Sequence, residues 1–304
     1  MKYKSNLEQV LRYNKFAVTA EIGPPKGSDA KKIINKAVFL KGFCDAYNLT
    51  DNQTAVVRLS SFAASSIILD QGLEPIMQIS CRDRNRIALQ SDILGAYSIG
   101  IKNILCLTGD HQSFGNHPSA KGVFDIDSIQ LIKILKDMRD DGIFQNKESI
   151  KYGKPQVFIG GAANPFAYPL DFRVDRLEKK ILAGVDFVQT QSVYNLQRFK
   201  EWIDIIRQRG LDKKVFILAG VTPLKSLKMT ERMKFHVPGV DIPDEIYTRM
   251  KKADNEKSEG YQIAFEIIDE LKKINGISGI HITALFWEEI IPKLVNQCNL
   301  FPRP

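Results

Sequence analysis

Short apolar runs recur along this chain, and most are closed on the downstream side by a polar residue. FAVTAEIGPP places Glu21 at the end of its run, AYNLT places Thr50, and DFVQTQ places Gln191. Asp110 follows NILCLTG, and Asn164 follows VFIGGAA. Brief apolar runs bounded by turn residues read as buried strands, and apolar residues at helical spacing read as amphipathic helices. The pattern predicts strands over 16–22, 46–50, 75–80, 103–108, 156–162, 187–191, 215–221 and 279–285. Helices are predicted over 29–42, 54–69, 87–100, 127–140, 170–184 and 196–210, with two or three between 224 and 275. A last helix closes the chain over 288–299. Ser5 is a good N-cap for an additional first helix, whose Leu7, Val10 and Leu11 share a face that would cover the bottom of the domain. Between 109 and 125 the rhythm gives way to a long polar loop containing Gly109, Gly115 and Gly122.

Eight strands with interposed helices predict an α/β fold: a single (β/α)8 TIM barrel over 1–304, with an extra N-terminal helix and additional helices before strand eight. A doubly wound sheet is the rival, but EIGPPKG lacks the GxGxxG spacing of a dinucleotide turn. In a barrel the downstream strand ends converge on one rim, where barrel enzymes keep their chemistry. Glu21, Thr50, Asp110, Asn164 and Gln191 are therefore expected to face one cleft.

Composition narrows the function classes. Lys and Arg number 43 against 35 Asp and Glu, and the excess is scattered, so it reads as a solvated basic surface and not a nucleic-acid patch. Cys44, Cys81, Cys106 and Cys298 form no CxxC pair and are expected as buried free thiols of a cytoplasmic protein. No apolar stretch is long enough for a signal peptide or a membrane span. His111 and His117 have no cysteine nearby, and His281 lies in an apolar run as a core histidine would, so no metal site is expected. Serine-nucleophile, zinc-protease and Walker motifs are absent. Taken alone, Glu21 reads as a functional carboxylate or as one paired with a lysine. Asp110 reads as functional or as the N-cap of the next segment.

Several segments resemble a known family. TAEIGPP resembles the strand-one signature of the methylenetetrahydrofolate reductases, LTGD at 107–110 their fourth strand end, and GAANP at 161–165 their Ala-Ala-Tyr-Pro. LEKKILAGVDFVQTQ, continuing to VYN, resembles their basic helix, Ala-Gly turn and strand ending in Thr-Gln. The matches run in order from about 16 to 287.

The resemblance implies FAD-dependent reduction of 5,10-methylenetetrahydrofolate to 5-methyltetrahydrofolate, with NADH, NADPH or a partner subunit as electron source. Carried over by position, Glu21 is the general acid, and Asp110 lies beside flavin and pterin. Gln191 and Leu227 contact the folate. Thr50, Gln78, Thr108, Gly109, Asn164, Tyr168, Lys179 and Lys180 hold the flavin, the two lysines at its diphosphate. The chain departs from the family at Gln78 (a His), Thr108 (an Arg), Asn164 (a Tyr), Trp287 (an Arg), Asp51 (a Tyr) and Gln53 (an Ala). It is similar to short, barrel-only reductase subunits of anaerobes. That implies a homo-oligomer, or work beside a zinc-containing or electron-transferring partner. The alternative is a folate-binding subunit that acts only within a larger complex.

Overall fold

The computed structural model describes residues 4–169 and 171–303. Eight parallel strands close into a barrel in sequence order, β8 pairing back onto β1. The strands are β1 (Ala17–Ile22), β2 (Ala46–Leu49), β3 (Pro75–Ser80), β4 (Asn103–Leu107), β5 (Phe158–Ala163), β6 (Phe187–Ser192), β7 (Phe216–Val221) and β8 (Gly279–Ile282). Around them run α2 (Lys31–Leu40), α3 (Ser61–Asp70), α4 (Arg86–Ser98), α5 (Ser128–Lys136), α6 (Phe172–Ala183), α7 (Leu196–Gln208) and α8 (Leu227–His236). They are followed by α9 (Asp244–Lys252), α10 (Glu256–Leu271) and α11 (Ile290–Gln297). The segment 224–275 thus holds three helices, α8 to α10.

Three predicted elements need correction. The helix predicted over 54–69 begins only at Ser61, because Thr54 and Ala55 adopt left-handed backbone angles that a helix cannot continue. The helix predicted over 127–140 is α-helical to Lys136 and closes as a π-turn through Asp141. The last strand stops at Ile282.

Side chains alternate along each strand, so every second residue enters the barrel. At the bottom the interior is apolar. The helix α1 (Asn6–Arg12), capped by Ser5, buries Leu7, Val10 and Leu11 against Ala17, Ala46, Ile76, Leu105, Phe158, Phe187 and Leu218. Phe158 and Phe187 stack with centroids 5.1 Å apart. A Cβ at Gly160 would run into the Phe187 ring, so this layer closes only because β5 carries glycine there.

Two residues further along, β1, β2, β3, β6 and β8 turn the interior polar. Asn48 and Gln189 exchange two side-chain hydrogen bonds of 2.6 and 3.0 Å. Gln189 also donates to Thr19 Oγ1 at 3.2 Å, and Thr19 lies 3.0 Å from His281 Nδ1. Burial pushes the His281 imidazole down to about 4, so it is neutral at physiological pH. His281 is thus buried and hydrogen-bonded, as its apolar run indicates. This buried, mutually bonded layer is the floor on which the upper rim stands.

Candidate active site at the downstream rim

Above the polar layer lies a cavity of about 750 Å³ between the ends of β4, β5, β6 and β8 and the helix α6. Gln78, Gln189 and His281 form its floor, and Asn164, Tyr168, Gln191 and Thr283 its upper wall. One side is cationic: Arg173, Arg176, Lys179 and Lys180 of α6 all line it. Positions 173, 176 and 180 recur at helical spacing, which puts them on one face. Lys180 is buried, its ammonium donates to the Ala162 carbonyl, and it makes no ion pair among the described residues. Burial and the nearby Arg176 push it down to about 8.

The candidates chosen from sequence divide into two groups. Gln78, Asn164, Tyr168, Lys179, Lys180 and Gln191 line the cavity. Glu21, Thr50, Thr108, Gly109, Asp110 and Leu227 lie on the same end of the barrel, at or just past their strands, but outside that cavity wall. The expectation that Glu21, Thr50, Asp110, Asn164 and Gln191 line one cleft is met by Asn164 and Gln191 alone.

Several of these side chains have local partners. Asn164 Oδ1 accepts from Phe166 N at 2.9 Å and shapes the turn after β5. Gln191 Oε1 accepts from Ser192 N at 3.1 Å. The Thr108 hydroxyl accepts from Ser128 N at 3.2 Å and is tied to the start of α5. Leu227 N, at the first turn of α8, donates to Glu256. Asp110 is exposed and caps no helix; the next short turn is capped by His111. The Asp110 carbonyl accepts from Arg82 at 3.2 Å. Among the described residues, Thr50 Oγ1 and Ser80 Oγ, on adjacent strand ends, are buried without a hydrogen-bond partner.

Glu21 ends β1 in register with Asn48 and is half-buried. Burial pushes its carboxyl up to about 7, opposed by a 3.4 Å hydrogen bond from Gln53 and by the charge of Arg58. Lys36 and Glu288, also nearby, pair with each other. Among the described residues Glu21 has no salt bridge, so it is not the paired structural glutamate that the sequence left open.

The raised carboxyl also bears on stability. The folded group holds its proton more tightly than the unfolded one, whose value is 4.5. Stability is lost as pH rises from that value through about 7, and the loss is complete above it. Glu21→Gln is therefore expected to leave the melting temperature unchanged near pH 4. At about pH 8 it should raise it by on the order of 5 °C. A pH series of thermal melts on both proteins checks this.

Sequence reading missed Arg173, Arg176, Gln189, Ser80 and Thr283. Helical spacing marks the two arginines with Lys180, and strand alternation places Gln189 on the inward face of Gln191. Nothing local marks Ser80 or Thr283, which acquire meaning only when neighbouring strands assemble.

Comparison with known proteins points to one family. A sequence-family model described as methylenetetrahydrofolate reductase matches residues 6–299. Methylenetetrahydrofolate reductase 2 of Saccharomyces cerevisiae is 27% identical over 259 residues, 81% of this chain and 40% of that protein. The 5,10-methylenetetrahydrofolate reductase of Pectobacterium carotovorum is 25% identical over 235 residues, 76% of this chain and 72% of that one. The chain thus spans less than half the length of its yeast relative. A Clostridium thermocellum protein, described as binding two copies of 5-methyl-5,6,7,8-tetrahydrofolic acid, shares the fold with a TM-score of 0.69 at 16% identity, covering 96% of this chain and 98% of that one. Among the described residues, no helix is long and apolar enough to cross a membrane.

Proposed function

Since this chain belongs to the methylenetetrahydrofolate reductase family, we propose that it reduces 5,10-methylenetetrahydrofolate to 5-methyltetrahydrofolate with FAD, electrons coming from NADH, NADPH or a partner subunit. The observation that carries the reading is Glu21: a carboxyl held near 7 at the end of β1, on the same end of the barrel as a cavity with a cationic wall. Near neutral pH about half of such a group is protonated, which suits a general acid.

The residues present fit FAD. Four cations on α6 suit a diphosphate, and the buried Lys180 ammonium lacks a carboxylate partner among the described residues. The orphaned hydroxyls of Thr50 and Ser80 lie on the same rim. Arg176, Lys179 and Lys180 would hold the diphosphate, with Gln78, Asn164 and Tyr168 along the rest of the cofactor. When bound, FAD supplies the hydride that reduces the one-carbon unit. The chain's own residues prepare the folate for it. Gln191 offers an amide to the pterin edge. Glu21 gives its proton to the amine nitrogen that leaves the bridging methylene, so that the ring opens to an iminium and the carboxylate remains. Asp110, exposed in the loop just past β4, would place negative charge toward the cation that develops.

The test is the visible spectrum of the purified chain. A yellow protein bleached by NADH, whose colour returns when methylenetetrahydrofolate is added and 5-methyltetrahydrofolate forms, is the expected result. Reduced protein that methylenetetrahydrofolate does not reoxidise would end the reading. A yellow protein inert to NADH but reoxidised by folate after chemical reduction assigns electron delivery to a partner.

Lys180→Met is expected to weaken FAD affinity by about tenfold or more, the cost of one charge-assisted hydrogen bond. Fluorescence titration of the apoprotein measures it directly. An unchanged affinity would place the diphosphate elsewhere.

A further inference from the structure

The segment between β2 and α3 is folded in an unusual way. Asn52, Thr54 and Ala55 all have positive φ, at 44°, 56° and 55°. Non-glycine residues rarely adopt such angles, and a β-branched residue there is a genuine outlier. Strain of this kind persists only where the surroundings impose it.

The surroundings here are specific. The Arg82 guanidinium, itself buried, donates to the Asn52 carbonyl at 3.2 Å and to the Asp110 carbonyl at 3.2 Å, joining the rim loops after β2 and β4. Asn52 Oδ1 accepts from Arg58 N at 3.0 Å, and Leu59 N donates to the Pro25 carbonyl at 2.9 Å, which ties the same segment to the loop after β1. Gly115 packs so close that a Cβ there would run into the Ala55 carbonyl. Within this frame the Gln53 amide reaches Glu21 Oε1 at 3.4 Å.

We propose that Gln53 is a positioning residue for Glu21: the strained segment, clamped by Arg82 and Gly115, presents its side-chain amide to the carboxylate and favours the charged form. The inference rests on the reading of Glu21 as the proton donor, and its chemistry is simple. A donor NH stabilises the carboxylate left after proton transfer and offers nothing comparable to the neutral acid. Gln53 therefore sets how readily Glu21 gives up its proton and how readily it is reprotonated. The charged groups facing Glu21 from neighbouring elements are Arg58 from the same loop, Lys36 from α2 and Glu288 from the segment before α11. Lys36 and Glu288 form an ion pair, and Arg58 remains in every variant below.

The test uses Gln53→Met, which keeps length and removes the donor, and Gln53→Lys, which replaces the amide by a cation. Two readouts are taken on the whole chain. The first needs neither cofactor nor substrate: the midpoint of the folded Glu21 titration, read as the pH near which the stabilisation by Glu21→Gln stops growing, from melting temperatures in each Gln53 background. Gln53→Met should move that midpoint upward by about half a pH unit or more, and Gln53→Lys should move it downward. The second is the basic limb of folate reduction, which should move in the same directions. If the stability midpoint is the same in all backgrounds, the inference is overturned, whatever the activity does. If it moves as expected while Glu21→Gln retains folate turnover, the inference about Gln53 stands and the proton-donor reading fails.

Discussion

Glu21→Gln is expected to lower folate reduction by about 10²–10⁴-fold, the range that general acids contribute. Reduction of the flavin by its donor should be unaffected, because no proton from this carboxyl enters that half of the cycle. The separation matters more than the size of the loss. A substitution that merely disturbed the barrel would slow both halves. A second signature lies in the pH dependence of the wild type. The acid must be protonated to act, and its carboxyl sits near 7. The rate of the folate half-reaction should be level below that value and fall tenfold for each pH unit above it. In Glu21→Gln the residual rate should lose this limb altogether. Rapid-mixing measurements of each half-reaction, before and after the substitution, decide the matter. A loss smaller than about threefold would remove Glu21 from the acid role.

The barrel was legible because its signals are local. Each strand is a short apolar run, each helix has one apolar face, and Ser5 with Leu7, Val10 and Leu11 marks the bottom plug. The helix predicted over 54–69 went wrong at its start for a reason propensity cannot register. Thr54 and Ala55 are acceptable helix residues in left-handed angles, within a segment that Arg82 holds at Asn52 and Gly115 packs against at Ala55, contacts that come from distant parts of the chain. The site was half legible. Strand ends announced Glu21, Asn164 and Gln191, and the family resemblance gave them roles. The cavity wall was legible in principle, since Arg173, Arg176 and Lys180 lie at helical spacing. The polar layer of Thr19, Asn48, Gln189 and His281 was not, because its hydrogen bonds join residues as far apart as 262 positions. No local pattern can predict that a buried histidine will meet a threonine on the strand that closes the barrel.

Arg84→Met is expected to destabilise the protein by about 3–5 kcal/mol, because it leaves a buried carboxylate unpaired. Asp51, next to Thr50 at the end of β2, has a fully buried side chain. It accepts from Arg84 at 2.7 and 3.3 Å and from Ser80 N at 2.9 Å. Without Arg84 only the Ser80 amide remains to replace the water that Asp51 gave up. Asp51→Asn should cost less, since it removes the charge, can still accept from Ser80 N, and leaves Arg84 its 2.9 Å contact with Asp92. Combining the two should recover part of the single arginine loss, since the carboxylate that suffers is then gone. Thermal or denaturant melts of the three variants give the ordering. Equal costs for Arg84→Met and Asp51→Asn would mean that the pair matters through packing and not through charge. The two rim carboxylates, Asp51 and Glu21, differ in their partners. Asp51 is bound by an arginine and a backbone amide and ties the end of β2 to the end of β3. Glu21 has only a long amide contact and no ion pair among the described residues, so its proton stays available for chemistry.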